Sequence, residues 1–463
     1  MVISKKNLVI SILSGLLLGL SFPPFNIGFL AWIFLIPLIH IYYSEVCFKE
    51  KILSFYTASF VSHAIITHWV ALNSGTSMQV AIFSYLALCF FYSFYWVLYL
   101  ILVHISIKNI FFDRAKFLIW PFMWIAIEAI RATGPLAGSW LNISLSQSNY
   151  DRMIQLISVN EHLLAFIVIT LNLLIYNFIA FRKKRFLVYF AAIFIGSLII
   201  GESLIFKYNN SVFSKDISIS IGQPVIYPDE KWNPILKDRN KKIMNDLLEE
   251  SLSTNPDIIV WPEAALTSFL ANPGSVERKK IQGKLDKSSL ITGIPQRIYD
   301  NNELKIYNSA IFMTSDGFYD TYQKIFLVPF AEYVPFFKKW LSKMNQFDDM
   351  GSFTAGENYK TFKINDVTAS ILICYDSSSY ALAEKMVKNG AEIIFVITND
   401  SFVGKAMPHQ HFQHAKLRAI ELGVPVVQSA NNGISGIILP SGEVLIKSII
   451  DERKTFNSSV KLK

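Results

Sequence analysis

Long apolar stretches follow one another through the first 210 of 463 residues, with only short polar breaks between them. Seven qualify: 7–22, 27–43, 53–72, 79–106, 116–132, 162–181 and 186–206. A helix needs about 20 apolar residues, with some latitude for tilt, to cross a bilayer core. The spacing therefore predicts seven spanning helices. The first run follows Lys5 and Lys6 as a signal peptide would, but it has no small-residue cleavage site and continues into Ser21-Phe22-Pro23-Pro24. It reads as a spanning or re-entrant helix.

Composition agrees with a chain that lives partly in lipid. Hydrophobic residues make up 52% and charged residues 17%, where soluble proteins carry about a quarter charged. Disorder and an ordinary cytosolic enzyme both fit poorly. The net charge of +8 suggests nucleic acid until its location is considered. Residues 1–210 hold 14 Lys and Arg against 7 Asp and Glu, and the remainder is nearly balanced at 29 against 28. With the N-terminus inside, eleven of those fourteen basic residues fall in cytoplasmic loops, among them Lys49, Lys51, Lys108, Arg114, Lys116 and Arg182 to Arg185. Only Arg131, Arg152 and Lys207 fall opposite. The bias is topological, and a nucleic-acid partner is not expected. Seven spans from an inside start deliver everything after residue 210 to the periplasm or cell exterior. The 133–161 loop, with Trp140 and Gln147, is then expected on the outer membrane face.

The division near residue 210 gives two expected domains, 1–210 and 211–463. In the second, short apolar runs alternate with amphipathic stretches. The runs are Ile217–Ile221, Ile258–Trp261, Leu290–Gly293, Ala310–Met313, Ala369–Cys374, Ile393–Thr398, Val426–Ser429 and Ile434–Leu439; the stretches are 235–252, 378–389 and 408–422. That alternation predicts α/β layers around a buried sheet. The polar stretch Ser342–Tyr359 reads as a loop able to act as a lid. There is no internal repeat or low-complexity tract.

Three cysteines are too few for a disulfide framework. Cys47 lies in a cytoplasmic loop and Cys89 in a span, so neither pairs with Cys374. Cys374 ends an apolar strand and precedes Tyr375-Asp376-Ser377 and a helical stretch. There a thiol meets a helix dipole and backbone N–H donors that favour a thiolate and an oxyanion; a buried structural cysteine is the plainer alternative. Glu263, in Trp261-Pro262-Glu263, also closes an apolar strand and suits a general base, or else a helix-start carboxylate. Lys324 enters the apolar run Ile325–Phe330 and suits an oxyanion-side cation, or else a solvated strand-end lysine. Eight residues on, Glu332 is placed to hold the lysine or the base, or is simply exposed.

Together, in the order Glu, Lys, Cys, these residues make 217–445 resemble the carbon–nitrogen hydrolase (nitrilase) superfamily. The resemblance rests on Trp261-Pro262-Glu263, Tyr322-Gln323-Lys324, Val328-Pro329-Phe330-Ala331-Glu332, Ile373-Cys374-Tyr375-Asp376, Thr398-Asn399-Asp400, Pro408-His409-Gln410-His411 and Arg418-Ala419-Ile420-Glu421. With seven spans in front, nearly the whole chain resembles the apolipoprotein N-acyltransferase family. The resemblance implies a multi-pass helical membrane domain carrying an α-β-β-α sandwich. It implies transfer of an acyl chain from a membrane phospholipid, through a cysteine thioester, to the α-amino group of a diacylglyceryl-modified apolipoprotein. It assigns Glu263, Lys324 and Cys374 as catalytic, Glu332, Tyr375 and Asp376 as supporting, and Trp232 as substrate-binding. It places the catalytic domain on the periplasmic side of a bacterial inner membrane and calls for no cofactor or metal.

Some positions depart from the family pattern. Asp376 stands where glutamate is usual, Ala331 where glycine is usual, and Ser401-Phe402-Val403-Gly404 where an aromatic pair with tryptophan is usual. The family also leads one to expect a closing membrane helix, and no apolar run follows Ile450; either the anchor is lacking or the chain continues. His409, His411 and His414 suggest a metal, but their spacing does not put three ligands on one helical face. Glu128 and Arg131, one turn apart, either pair or meet a lipid headgroup. No P-loop, dinucleotide fingerprint or zinc-protease motif is present. Two rivals remain: a membrane-tethered amidase or hydrolase with the same triad, and a non-enzymatic scaffold or transporter.

Overall fold

Neighbouring residues of the apolar runs after residue 210 face opposite ways, as strand geometry requires. In Ile258–Val260, Ile258 and Val260 pack into one core and Ile259 into another. Ala310 and Phe312 divide from Ile311 and Met313 in the same manner. A strand buried on both faces lies between layers, and the architecture follows from that. The structure, a computed structural model, describes residues 3–109, 116–134, 136–300, 303–334 and 353–463. It divides into two compact units, Met1–Asn209 and Asn210–Lys463.

The second unit holds two six-stranded sheets. The strands are β1 (Lys215–Gln223), β2 (Ile258–Val260), β3 (Ser289–Asp300), β4 (Glu303–Met313), β5 (Tyr319–Gln323), β6 (Thr361–Ile364), β7 (Val367–Ile373), β8 (Ile393–Thr398), β9 (Val426–Ala430), β10 (Gly436–Ile438), β11 (Val444–Lys447) and β12 (Lys454–Leu462). One sheet runs β12-β1-β2-β3-β4-β5 and the other β11-β10-β9-β8-β7-β6. In each, the central strands β1-β2-β3 and β7-β8-β9 are parallel and the outer ones antiparallel. The sheets face each other: Phe312 and Phe362 lie 5.5 Å apart, and Ser429 Oγ donates across the gap to the carbonyls of Gly222 and Val260 at 3.2 Å. Ile243, Met244, Leu247 and Leu248 of an amphipathic helix cover the outer face of the first sheet, and Leu382, Ala383, Phe412 and Ala415 pack with the second.

The first unit is helical: α1 (Lys5–Ser21), α2 (Ile36–Tyr43), α3 (Phe48–Ile66), α4 (Met78–Asn109), α5 (Lys116–Arg131), α6 (Asp151–Ile154), α7 (Leu163–Phe181) and α8 (Arg185–Asn209). Among the described residues, α4, α7 and α8 are long and apolar enough to cross a membrane. The run 27–43 is not one helix. It breaks into a 3-10 turn, Gly28–Trp32, and α2, with Pro37 at its start. Asn172 of α7 satisfies the break, donating to Ala31 O at 2.8 Å and accepting from Leu35 N at 2.9 Å. α1 meets α3 through Gly15 and Gly19, where an added Cβ would come within 2.5 Å of Ala58 O and 2.7 Å of Ile65 Cβ.

The segment after α5 is packed rather than open. Trp140 and Gln147 are buried, and Gln147 bonds to Trp32 Nε1 and Gly28 O, each at 2.9 Å. Glu128 and Arg131 pair at 3.5 Å and are bound to that segment: Glu128 accepts from Ile143 N and Arg131 donates to Asn142 Oδ1. Arg114 and most of the expected lid, through residue 352, lie outside the described residues.

Candidate active site

Three strand ends converge. Glu263 lies three residues past the end of β2, Lys324 directly follows β5, and Cys374 directly follows β7. Lys324 stands at a strand end, and the apolar run after it, Ile325–Phe330, forms a loop. Its backbone N–H still bonds to Asn308 O on β4 at 2.9 Å, so the sheet fixes where its side chain starts.

The three loops share a backbone device that nothing in the residue types announces. Cys374 has φ +48°, Ala264 beside Glu263 has +47°, and Phe330, two residues before Glu332, has +61°. Non-glycine residues held in this left-handed region cost on the order of 1–3 kcal/mol each, so the surroundings must over-determine them. At Cys374 the surroundings can be named. Ser377 Oγ donates to the Cys374 carbonyl at 2.8 Å, and His411 Nε2 lies 3.2 Å from the same oxygen and 3.0 Å from Ser377 Oγ. The other ring nitrogen is 2.9 Å from Asp400 Oδ1, which also accepts from Thr398 Oγ1 at 2.6 Å. Near Glu263, Gly293 supplies the close approach: a Cβ there would sit 2.4 Å from Ala264 N and 2.5 Å from Glu263 Cα.

Charges are tied together at the centre. Lys324 is 1% exposed. Its Nζ lies 2.9 and 2.7 Å from the two carboxylate oxygens of Glu332 and 3.6 Å from Glu263 Oε1. Asn308 bridges the two glutamates, its Nδ2 donating to Glu263 Oε1 at 2.7 Å and Glu332 Oε1 at 2.8 Å. Glu263 Oε2 accepts from Asn399 N at 2.9 Å, and Glu332 Oε2 from Val328 N at 2.8 Å. Burial works against the Lys324 ammonium, but the charges of Glu332 and Glu263, joined by Cys374 whenever it is a thiolate, outweigh it and hold its pKa above the ordinary range. The half-buried Cys374 shows the opposite balance. Burial raises its thiol well above the usual value, Glu263 adds to that, and Lys324 pulls it back. The resting sulfur is therefore a thiol beside a fixed cation, and it needs a base to become a nucleophile.

The supporting residues separate into two kinds. Glu332 holds Lys324 directly. Asp376, fully buried, accepts from Tyr322 OH at 2.9 Å, Phe326 N at 2.7 Å and Ile373 N at 3.1 Å, so it joins both sides of Lys324 to the strand that carries Cys374. The shorter side chain is thus fully engaged, and burial raises its pKa to about 6. Tyr375 lies in the turn after Cys374, where burial pushes its phenol to about 12. Trp232 is 56% exposed at the end of the short helix Pro228–Lys231, with no bond to the cluster among the described residues.

Sequence reasoning passed over Asn308, which sits inside a strand with no motif around it; it named Asp400 and His411 within motifs but not as a bonded pair. Cys374, Asp400 and His411 offer ligand atoms within 4.8 Å of one another. His411 and Asp400 are already bonded to each other and to Thr398 and Ser377. Their visible work is to brace the cysteine turn.

Comparison with known proteins bears on both units. Residues 234–457 match the carbon–nitrogen hydrolase family, and residues 14–174 match the apolipoprotein N-acyltransferase N-terminal domain. A protein of Aquifex aeolicus named apolipoprotein N-acyltransferase is 30% identical over 340 residues, covering 73% of this chain and 74% of its own length. The chain belongs to the apolipoprotein N-acyltransferase family. A second relative of that name, from Geobacter metallireducens, is 26% identical across 99% of this chain and 90% of its own. Saccharomyces cerevisiae Nit3, a solved member of the nitrilase superfamily, aligns over 54% of this chain and 92% of its own with a TM-score of 0.41 at 17% identity. As a member of the apolipoprotein N-acyltransferase family the chain is an acyltransferase whose second unit carries the carbon–nitrogen hydrolase fold.

Proposed function

We propose that this chain moves an acyl group from a membrane phospholipid to the α-amino group of a diacylglyceryl-cysteine at the N-terminus of an apolipoprotein, with Cys374 as the carrier. The observation that carries the reading is the cluster itself: a thiol, a glutamate and a doubly paired lysine at three neighbouring strand ends. Glu263 takes the Cys374 proton as the sulfur attacks the ester carbonyl carbon. The oxyanion that forms is met by the Lys324 ammonium, which Glu332 keeps in place. When the tetrahedral adduct collapses, the ester C–O bond breaks and the proton on Glu263 passes to the departing lysophospholipid oxygen. The thioester is then attacked by the neutral amine of the acceptor. Glu263 accepts the amine proton, the C–S bond breaks, and Cys374 leaves with that proton as the amide is completed. Asp376 and Tyr375 act in support, and Trp232, exposed beside the catalytic unit's first short helix, is read as a contact for incoming lipid.

The same reading places residues 1–210 in a bacterial inner membrane as seven spans, with residues 211–463 on the periplasmic side. The three long apolar helices and the eleven-to-three distribution of basic residues support it. The hydrolase alternative rests on the fold of the second unit alone. Purified protein mixed with labelled phospholipid and a diacylated lipopeptide decides between them. The label should appear on the peptide amine. Release of the label only as free fatty acid would favour hydrolysis, and an unlabelled peptide with no release would reject both.

A further inference from the structure

Two residues beyond Glu263, the loop Ala265–Ser268 borders a small pocket of about 20 Å³ that opens to solvent. Across it lie the end of the helix Pro228–Lys231 and the first turns of the helix Lys237–Leu252. Lys231 lines this pocket, is 5% exposed, and has no hydrogen-bond partner for its Nζ among the described residues. Asn240 lines it too: its Nδ2 donates to Glu230 O at 2.9 Å, while its Oδ1 is buried without a donor. Lys237 adds a second ammonium group; Lys241 also lines the pocket but is paired at 3.0 Å with Glu277, a carboxylate of the same lining. The helix that carries them has no side-chain acceptor at its N-cap, Leu236.

A buried ammonium without a partner is costly, and it either gives up its proton or is met by an anion. We propose that this pocket is a phosphate-binding subsite anchored by Lys231. Phosphate oxygens would accept from Lys231 and Lys237. A phosphate ester flanked by a hydroxyl or an ammonium group would also bring the donor that Asn240 Oδ1 lacks. The helix start adds a favourable dipole. Burial lowers the pKa of Lys231 to about 7, only partly offset by the charge of Glu263, and a bound anion would restore its proton. Resting on the transferase reading, the phosphate is that of the donor lipid's headgroup; free inorganic phosphate offers the same chemistry.

The test uses the full chain in phosphate-free detergent, wild type beside Lys231→Met. That substitution keeps the length of the side chain and removes a buried unpaired charge, so a melting point at or above wild type reports an intact fold. Thioester formation on Cys374 is timed with two acyl donors, a phospholipid and a p-nitrophenyl acyl ester that has no phosphate. The ratio of the two rates is expected to fall about tenfold or more in Lys231→Met. Inorganic phosphate and glycerophosphoethanolamine are titrated in parallel by thermal shift. If both stabilise wild type but not the variant, and both slow the phospholipid reaction, the headgroup is the occupant. If inorganic phosphate alone stabilises through Lys231 and the rate ratio holds, the site serves free phosphate. An unchanged ratio with no Lys231-dependent stabilisation by either compound overturns the proposal and leaves the pocket to water. A wild type that forms no thioester from either donor counts against the transferase reading alone, because the titrations do not depend on turnover.

Discussion

Lys324 and Lys231 are the same residue, both almost fully buried in the same unit, and their surroundings treat them in opposite ways. Lys324 lies against two carboxylates and keeps its proton more firmly than a lysine in water. Lys231 has no hydrogen-bonded partner among the described residues, and its pKa falls to about 7. Burial is common to both, so burial does not decide the charge state; the count of opposite charges within reach does. A lysine fixed as a cation suits the stabilisation of an oxyanion. A lysine left short of an anion suits capture of one.

Removing the paired lysine should have the largest effect. Lys324→Met leaves Glu263 and Glu332 as buried carboxylates without a cation, and breaking such a pair typically costs about 3–5 kcal/mol. Thioester formation should drop about 10²- to 10³-fold, as when an oxyanion-side donor is lost. Rates from a mass-resolved time course and a denaturant melt check both, and near-normal rates would remove Lys324 from the chemistry. Gly293→Ala tests the other partner through its backbone. The new Cβ would lie 2.5 Å from Glu263 Cα, so the glutamate must move. Displacements of this size cost about 100-fold in rate, to be read as a fall in kcat; because the clash is with backbone, the fold should also lose about 1–3 kcal/mol in the melt.

Lys231→Met should reverse the sign and stabilise the fold by about 1–3 kcal/mol in the absence of phosphate. Its pH dependence sharpens the comparison. The unfolded chain holds this proton up to about pH 10.4, whereas the folded protein releases it near 7. Between those values the unfolded state binds more protons, so wild type gains stability as pH rises and the advantage of Lys231→Met shrinks. Melts of the two proteins at pH 6.5 and 9.5 measure that convergence; parallel curves would mean Lys231 is paired after all. The smallest effect is expected at Asp376. Its folded pKa of about 6 lies above the ordinary 3.8, so its neutral form favours folding below about pH 4 and that contribution is lost as pH rises through 6. Compared with wild type, Asp376→Asn should melt with a flatter profile across that window.

The two kinds of lysine also mark where the sequence was legible. Apolar runs bounded by polar residues located most of the strands, because a strand buried on both faces must be apolar throughout. β8 matches its run residue for residue. The edge strands β5, β6, β11 and β12 escaped notice; Lys454–Leu462, with only Phe456, Val460 and Leu462 apolar among its nine residues, presents no apolar run and no strict alternation. Glu263, Lys324 and Cys374 stood out as charged or reactive groups at the ends of apolar runs. Asn308 did not, because a polar residue within a strand is ordinary until both its carboxylate partners are known. Lys231 was invisible for the same reason: its neighbours Asp229 and Glu230 look like partners in the sequence, yet Glu230 bonds to Arg239 instead. The break just before α2 in the run 27–43 was hidden by a composition apolar enough for one continuous helix.

The central claim, that Cys374 carries the acyl chain, has a direct test. Purified protein is incubated with a phospholipid of defined acyl chains and no acceptor, then digested, and the peptide containing Cys374 is weighed. The account predicts a mass increase of one acyl group on that peptide, removed by hydroxylamine and absent in Glu263→Gln. An unmodified Cys374 in folded protein, or an acyl group found on a different residue, would contradict it.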